Sequence, residues 1–294
     1  MNKSKHYIAL FIGTWCIGWS AIFVKMTGLN GIVSAYYRVL IALIVLLPIW
    51  LLRQQFQKSK RINLFNKQLL FALLGGVFFG LDLTFWNTSI MEGTASIATV
   101  LANFAPVWVA IGAWLFWKHR PSKIVWVGTV VALIGIGSIL DFNQLRRANI
   151  SWADSLALIA SFFYAIYLLT TQEVRKKLDT FSFMTFATLG STFMLAISAT
   201  ITGVSLAIPQ SDVWPALIGL GLLTHVIGWL AINYALGYIP STIASVSLLS
   251  QAVWTAIFGY FFIGEELHFN QLLGGIIVLI GIWMVNYKKK NKEN

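Results

Sequence analysis

The stretch "ASIATVLANFAPVWVAIGAWLF" (residues 95–116) decides how this chain is read, because it occurs a second time in altered form. Shifted by 146 residues, it lies over "STIASVSLLSQAVWTAIFGYFF" (241–262). Ile97/Ile243, Ala98/Ala244, Val107/Val253 and Trp108/Trp254 are identical pairs at that shift. The register continues outward. "GTVVALIGI" (128–136) lies over "GGIIVLIGI" (274–282), Gly135 falls on Gly281, and Asn87 falls on Asn233. Apolar helices resemble one another by composition, but one constant offset that also carries Asn and Trp is hard to reach by chance. The chain therefore reads as two copies of one unit, 1–148 and 149–294.

Composition says what the unit is made of. Hydrophobic residues make up 58% of the 294, charged residues 11%, and mean hydropathy is +0.76. A soluble domain carries about 25% charged residues. Apolar runs recur along the whole chain at the length of about 20 residues that crosses a hydrocarbon core as helix. Set against polar punctuation, the runs give ten spans, near 6–25, 32–52, 68–88, 94–117, 123–140, 152–172, 181–203, 213–236, 242–263 and 270–287. The fold class is an all-α membrane protein. Each copy holds five spans, an odd number, so the two copies cross in opposite senses: ten transmembrane helices as two inverted five-helix repeats. Residues 3–24 have a basic start and an apolar body, but Trp15, Trp19, Phe23 and Lys25 stand where a signal peptide needs small residues, so this is a first span. The single cysteine, Cys16, lies in that span and excludes an intrachain disulfide.

The net charge of +11 would suggest nucleic acid in a soluble protein. Its placement says otherwise. With the N-terminus cytoplasmic, the inner side collects Lys3, Lys5, Arg53, Lys58, Lys60, Arg61, Lys67, Lys118, Arg120, Lys123, Arg175, Lys176, Lys177, Lys288, Lys289, Lys290 and Lys292. The outer loops keep Arg146 and Arg147, and Lys25 and Arg38 lie near or inside the membrane. Charge in short loops orients helices in this sense. Both termini are expected in the cytoplasm, in a plasma membrane (the inner membrane of a bacterium), with anionic lipids at the basic face and no nucleic-acid partner. A homodimer is compatible with this form.

Ten spans, the five-plus-five repeat and "FFIGEELHFNQLLGGIIVLIGI" (261–282) resemble the EamA branch of the drug/metabolite transporter superfamily. In that pattern a Gly-Glu ends the ninth helix and a Gly-rich tenth follows. "LANFAPVW" (101–108), with Pro106 in the fourth helix, is similar to the first-repeat counterpart, and "YYRVLIAL" (36–43) looks like the family's Arg-bearing second helix. There are two departures. Lys118-His119-Arg120 stands where the first repeat would carry Glu, and Ser250-Gln251-Ala252 where the second often carries Pro. The resemblance implies a secondary transporter, in most members an exporter of amino acids and other small metabolites.

Asp82, in "GLDLTFWNTSI" (80–90), is the sharpest site candidate. A central acid costs about 2.5–3.5 kcal/mol on insertion scales unless it is paired, protonated or wet. It lies six residues below the outer end of the third helix, roughly 9 Å at 1.5 Å per residue. Arg38 lies at the same depth in the second helix, so the two are expected to form an ion pair beside the outer half of a cavity. A purely structural bridge between helices is the rival reading, and proton uptake at Asp82, which Arg38 opposes, is a weaker one. His225, in "LLTHVIGW", suits proton coupling or hydrogen-bonded packing. Gln251, Ser250 and Asn103 lie mid-depth, as helix glue or cavity lining, with Gln251 the best cavity candidate. Among the 13 Trp, Trp15 and Trp19 share a helix face; Trp19 and Trp86 lie deep enough to wall a cavity, whereas Trp117, Trp126 and Trp214 suit the interfacial belt. Gly76 and Gly80 read as a packing face, and Glu265 and Glu266 as structural. Pro106 frees the Ala102 carbonyl and favours a kink.

These features fit a transporter worked by rocking halves, exporting a small amino-acid-like solute. Uptake of a similar solute and a lipid-related translocase are the alternatives. No convergent nucleophile, acid–base set or metal cluster marks an enzyme, and no cofactor is expected.

Overall fold

In the computed structural model every described element is helical. The structure describes residues 4–56, 66–92, 95–118, 120–139 and 151–290. The boundary between the two sequence copies, and Lys3, Lys58, Lys60, Arg61, His119, Arg146, Arg147 and Lys292, lie outside the described residues.

The helices are α1 (Ser4–Thr27), α2 (Gly31–Phe56), α3 (Lys67–Glu92), α4 (Ala95–Ala102 and Ala105–Trp117), α5 (Lys123–Ile139), α6 (Trp152–Val174), α7 (Thr180–Ile201), α8 (Ser211–Leu236), α9 (Ser241–Ile263) and α10 (Phe269–Lys290). Nine of them, among the described residues, are long and apolar enough to cross a membrane. The tenth expected span, α5, is apolar but has 17 described residues, or about 26 Å of helix, against a hydrocarbon core of about 30 Å. Large apolar side chains such as Phe56, Phe116, Ile201 and Phe261 face outward at 71–82% exposure. A soluble surface would not carry so many; lipid covers them, and the chain is a multi-pass membrane protein.

Local chemistry sets the turns. Gly28 (φ +60°) ends α1, and the Asn30 side chain then caps α2 by accepting from Ile32 N at 2.8 Å. Ser151 and Asp154 form a reciprocal capping box at α6, and Asp179 accepts from Phe181 N and Ser182 N at α7. α4 breaks at Asn103–Phe104, just before Pro106, where the Asn103 amide also donates to Thr99 O at 2.7 Å. α9 breaks at Leu249, which is residue 103 shifted by 146, without a proline. There Ser247 and Ser250 turn their hydroxyls back onto Ile243 O (3.0 Å) and Ser247 O (2.8 Å).

Helix packing interleaves the two sequence copies. α3 lies against α6 and α7, and α8 lies against α1 and α2. α5 and α10 touch backbone to backbone. A Cβ at Gly135 would fall 2.7 Å from Gly274 O, and one at Gly128 2.7 Å from Gly281 O. As the number rises along α5 it falls along α10, so these two helices, which overlie in sequence, run antiparallel. The beginnings of α1 and α7 and the ends of α2, α4, α6 and α8 meet at one end of the bundle. His6 stacks on Tyr238 at 4.0 Å, Arg53 lies over Phe181 at 4.9 Å and Lys176 over Trp117 at 5.8 Å. Arg175 reinforces that end by donating to Asn233 O at 3.1 Å. At the other end Lys25 of α1 pairs with Glu265, which follows α9.

Candidate functional site

Phe79 of α3 is the centre of a buried cluster. Its ring lies 4.8 Å from Tyr167 and 6.4 Å from Tyr164 of α6, and 4.7 Å from Trp229 and 6.1 Å from His225 of α8. Trp229 closes on both tyrosines, at 6.0 and 5.4 Å. Asp82 follows Phe79 by three residues and so shares its helix face. Arg38 reaches the cluster from α2, within electrostatic range of Asp82, Tyr164, Tyr167 and His225. Helices from both sequence copies thus contribute to one polar site in an apolar bundle.

The geometry corrects one expectation. Asp82 and Arg38 are neighbours in charge, but no ion pair within 4 Å joins them. Among the described residues the ion pairs are Lys25–Glu265 and Lys176–Glu173. The Arg38 guanidinium instead donates from Nη1 to Ser20 Oγ of α1 at 3.1 Å. Equal depth did not fix the angle around the helix axis, and a hydroxyl on a third helix took the contact. Asp82 and Tyr164 are partly buried, whereas Tyr167, His225 and Trp229 beside them are buried.

Several buried polar atoms here have no hydrogen-bond partner: Arg38 Nε, His225 Nδ1 and Trp229 Nε1. An unsatisfied buried donor costs about 1–3 kcal/mol, and such atoms are few in native proteins unless something else takes the bond. Other polar groups of the site do have partners. Tyr167 donates to Asn233 Oδ1 at 3.0 Å, Asn233 Nδ2 donates to Met184 S at 3.1 Å, and His225 Nε2 meets Thr188 Oγ1 of α7 at 3.1 Å. The segment that carries His225 and Trp229, Leu220–Trp229, is wound as π-helix. This rare form often appears at functional sites, and it places the two rings one turn apart.

The other sequence candidates lie elsewhere. Trp19 stacks on Phe258 (4.4 Å) and meets Phe23 (5.7 Å) and Phe262 (4.6 Å), building an aromatic seam between α1 and α9. Thr255 Oγ1 pins that seam by donating to Gly18 O at 2.9 Å. Asn103 serves the α4 break. Gln251 and Trp86 are half-buried, and among the described residues no hydrogen bond or ring contact joins either to the cluster. Sequence reasoning missed Tyr164, Tyr167, Trp229 and Thr188 as site residues. The faint signal was a Tyr pair at i, i+3 in "SFFYAIYLLTT" (161–171), two hydroxyls in an apolar span.

Comparison with known proteins adds an independent line. The model of the EamA-like transporter family matches this chain twice, over residues 4–140 and 151–287. The "Uncharacterized transporter YdfC" of Bacillus subtilis is 26% identical over 290 residues, covering 97% of this chain and 91% of that one. An "Uncharacterized transporter" of Archaeoglobus fulgidus is 24% identical, covering 98% and 99%. A solved crystal structure shares the fold with a TM-score of 0.78 at 12% identity, over 99% of both chains.

Proposed function

The chain belongs to the EamA-like transporter family, and on that premise we propose that it exports a small amino-acid-like metabolite by alternating access between two inverted five-helix halves. The observation that carries this reading is that, among the described residues, Asp82 and Arg38 share one cluster without forming an ion pair. A carboxylate and a guanidinium that do not neutralise each other complement a solute bearing both charges. Its ammonium faces Asp82, and its carboxylate takes the buried, unpartnered donors at Arg38 Nε and Trp229 Nε1.

The antiparallel crossing of α5 and α10 supports inverted halves and, with them, ten spans. Matching breaks in α4 and α9 support a midplane site, since interrupted helices mark such sites in transporters built from inverted repeats. The termini lie in the cytoplasm, because the basic residues gather at the termini's end of the bundle. Export is the direction the family resemblance implies, across a plasma membrane whose anionic lipids meet the basic face.

Quantitative mass spectrometry of medium and cytosol tests this in cells carrying wild type, Asp82→Asn or empty vector. A zwitterionic metabolite should accumulate in the medium with wild type alone. Accumulation inside the cell would reverse the direction. Equal export by Asp82→Asn at equal protein level would remove the carboxylate from the site.

A further inference from the structure

His225 sits at 2% exposure with its two ring nitrogens in unequal settings: Nε2 lies 3.1 Å from Thr188 Oγ1, and Nδ1 has no partner. A neutral imidazole carries one proton, and the hydrogen bond at one nitrogen decides where the proton sits. If Nε2 held it and donated to Oγ1, the Thr188 hydroxyl hydrogen would have no acceptor, in a side chain 1% exposed, and Nδ1 would be a bare acceptor. Two atoms would then go unsatisfied. If Thr188 donates to Nε2, the hydroxyl and Nε2 are both satisfied, and the N–H at Nδ1 is the one group left without a partner. Thr188 makes no other side-chain hydrogen bond among the described residues, so nothing competes for its proton.

We propose that Thr188 is a positioning residue: its hydroxyl donates to His225 Nε2, locks the ring in the Nδ1–H tautomer, and so makes Nδ1–H a third donor, with Arg38 Nε and Trp229 Nε1, for the solute's anionic group. This rests on the transport reading for the identity of the solute but not for the tautomer. The groups facing His225 fit the assignment. Arg38 of α2 is within electrostatic reach, the Phe79 ring of α3 lies 6.1 Å away, and Trp229 stands one turn along α8. A neutral donor at Nδ1 adds a hydrogen bond for an anion without placing a second buried cation beside Arg38.

The test is nitrogen-15 NMR of histidine-labelled protein in lipid nanodiscs, with His225 assigned by the loss of its signals in His225→Gln. Wild type and Thr188→Ser should show Nδ1 protonated and Nε2 bare. Thr188→Val, which keeps the shape and removes the hydroxyl, should move the proton partly or wholly to Nε2. In transport, Thr188→Val should raise the KM for the exported solute about tenfold, Thr188→Ser should stay within about twofold, and Thr188→Val should add nothing on the His225→Gln background. A wild-type ring protonated at Nε2 overturns the proposal, as does an unchanged KM in Thr188→Val once its tautomer has shifted. Absence of any transport by wild type would instead strike the transport reading, while the tautomer is still decided by the spectrum.

Discussion

Arg38 is held by a serine on α1 while the nearest carboxylate, Asp82, stays unpaired. Two ionisable groups in an apolar bundle that make no ion pair with each other are a poor way to stabilise it, because desolvating a charge there costs several kcal/mol. Replacing both by apolar residues of similar volume should relieve that cost. The double variant Arg38→Met/Asp82→Leu should unfold at or above the wild-type temperature in detergent and transport nothing. Arg38→Met alone should unfold below wild type, since it removes the positive charge within electrostatic range of Asp82. A double variant less stable than either single would make the pair a structural bridge, the rival reading of the sequence. Both charges were legible because each interrupts an apolar run. Their contact was not: depth follows from residue counting, but the angular position of a side chain does not when every helix face is apolar. Tyr164, Tyr167 and Trp229 were hidden for a related reason, since in a chain with 15% aromatic residues another ring carries little information.

At the level of elements, glycine marks where two helices have no room between them. A Cβ at Gly135 would meet Val278 N at 2.6 Å and Gly274 O at 2.7 Å, whereas one at Gly275 would meet nothing nearer than Val253 Cγ1 at 3.7 Å. Backbone cannot step aside as a flexible side chain can. Gly135→Ala should therefore lower stability by about 1–3 kcal/mol, the usual cost of overpacking, and Gly275→Ala should change it little; thermal unfolding in one detergent compares them. The ends of most helices were readable from apolar length and polar punctuation. The two helix breaks were readable only in part. Pro106 announced the break in α4, but in α9 serine hydroxyls bonded to their own helix produce it, and serine occurs in many unbroken helices.

For the whole molecule, the proposed ten spans would put both termini on one side. Cys16 is the one native cysteine and is 2% exposed, so a Cys16→Ala background accepts single reporter cysteines. A cysteine replacing Glu266 should react with an impermeant maleimide in intact cells, and one replacing Lys177 only after permeabilisation. The reverse pattern would invert the orientation drawn from the basic residues. The repeat was visible in the sequence because duplication leaves one constant offset, and the antiparallel crossing of α5 and α10 fits the two copies of opposite sense proposed above.

The most direct measurement is transport by purified protein in proteoliposomes, comparing the exported solute with its analogue in which hydroxyl replaces the ammonium, for wild type and Asp82→Asn. If Asp82 receives the ammonium, the analogue should be handled at least about a hundredfold less efficiently than the solute by wild type, in line with leaving a buried charge unpaired. Asp82→Asn should narrow that gap to within about threefold. The same penalty in both proteins would mean that Asp82 does not meet the ammonium, and the unpaired carboxylate would need another role.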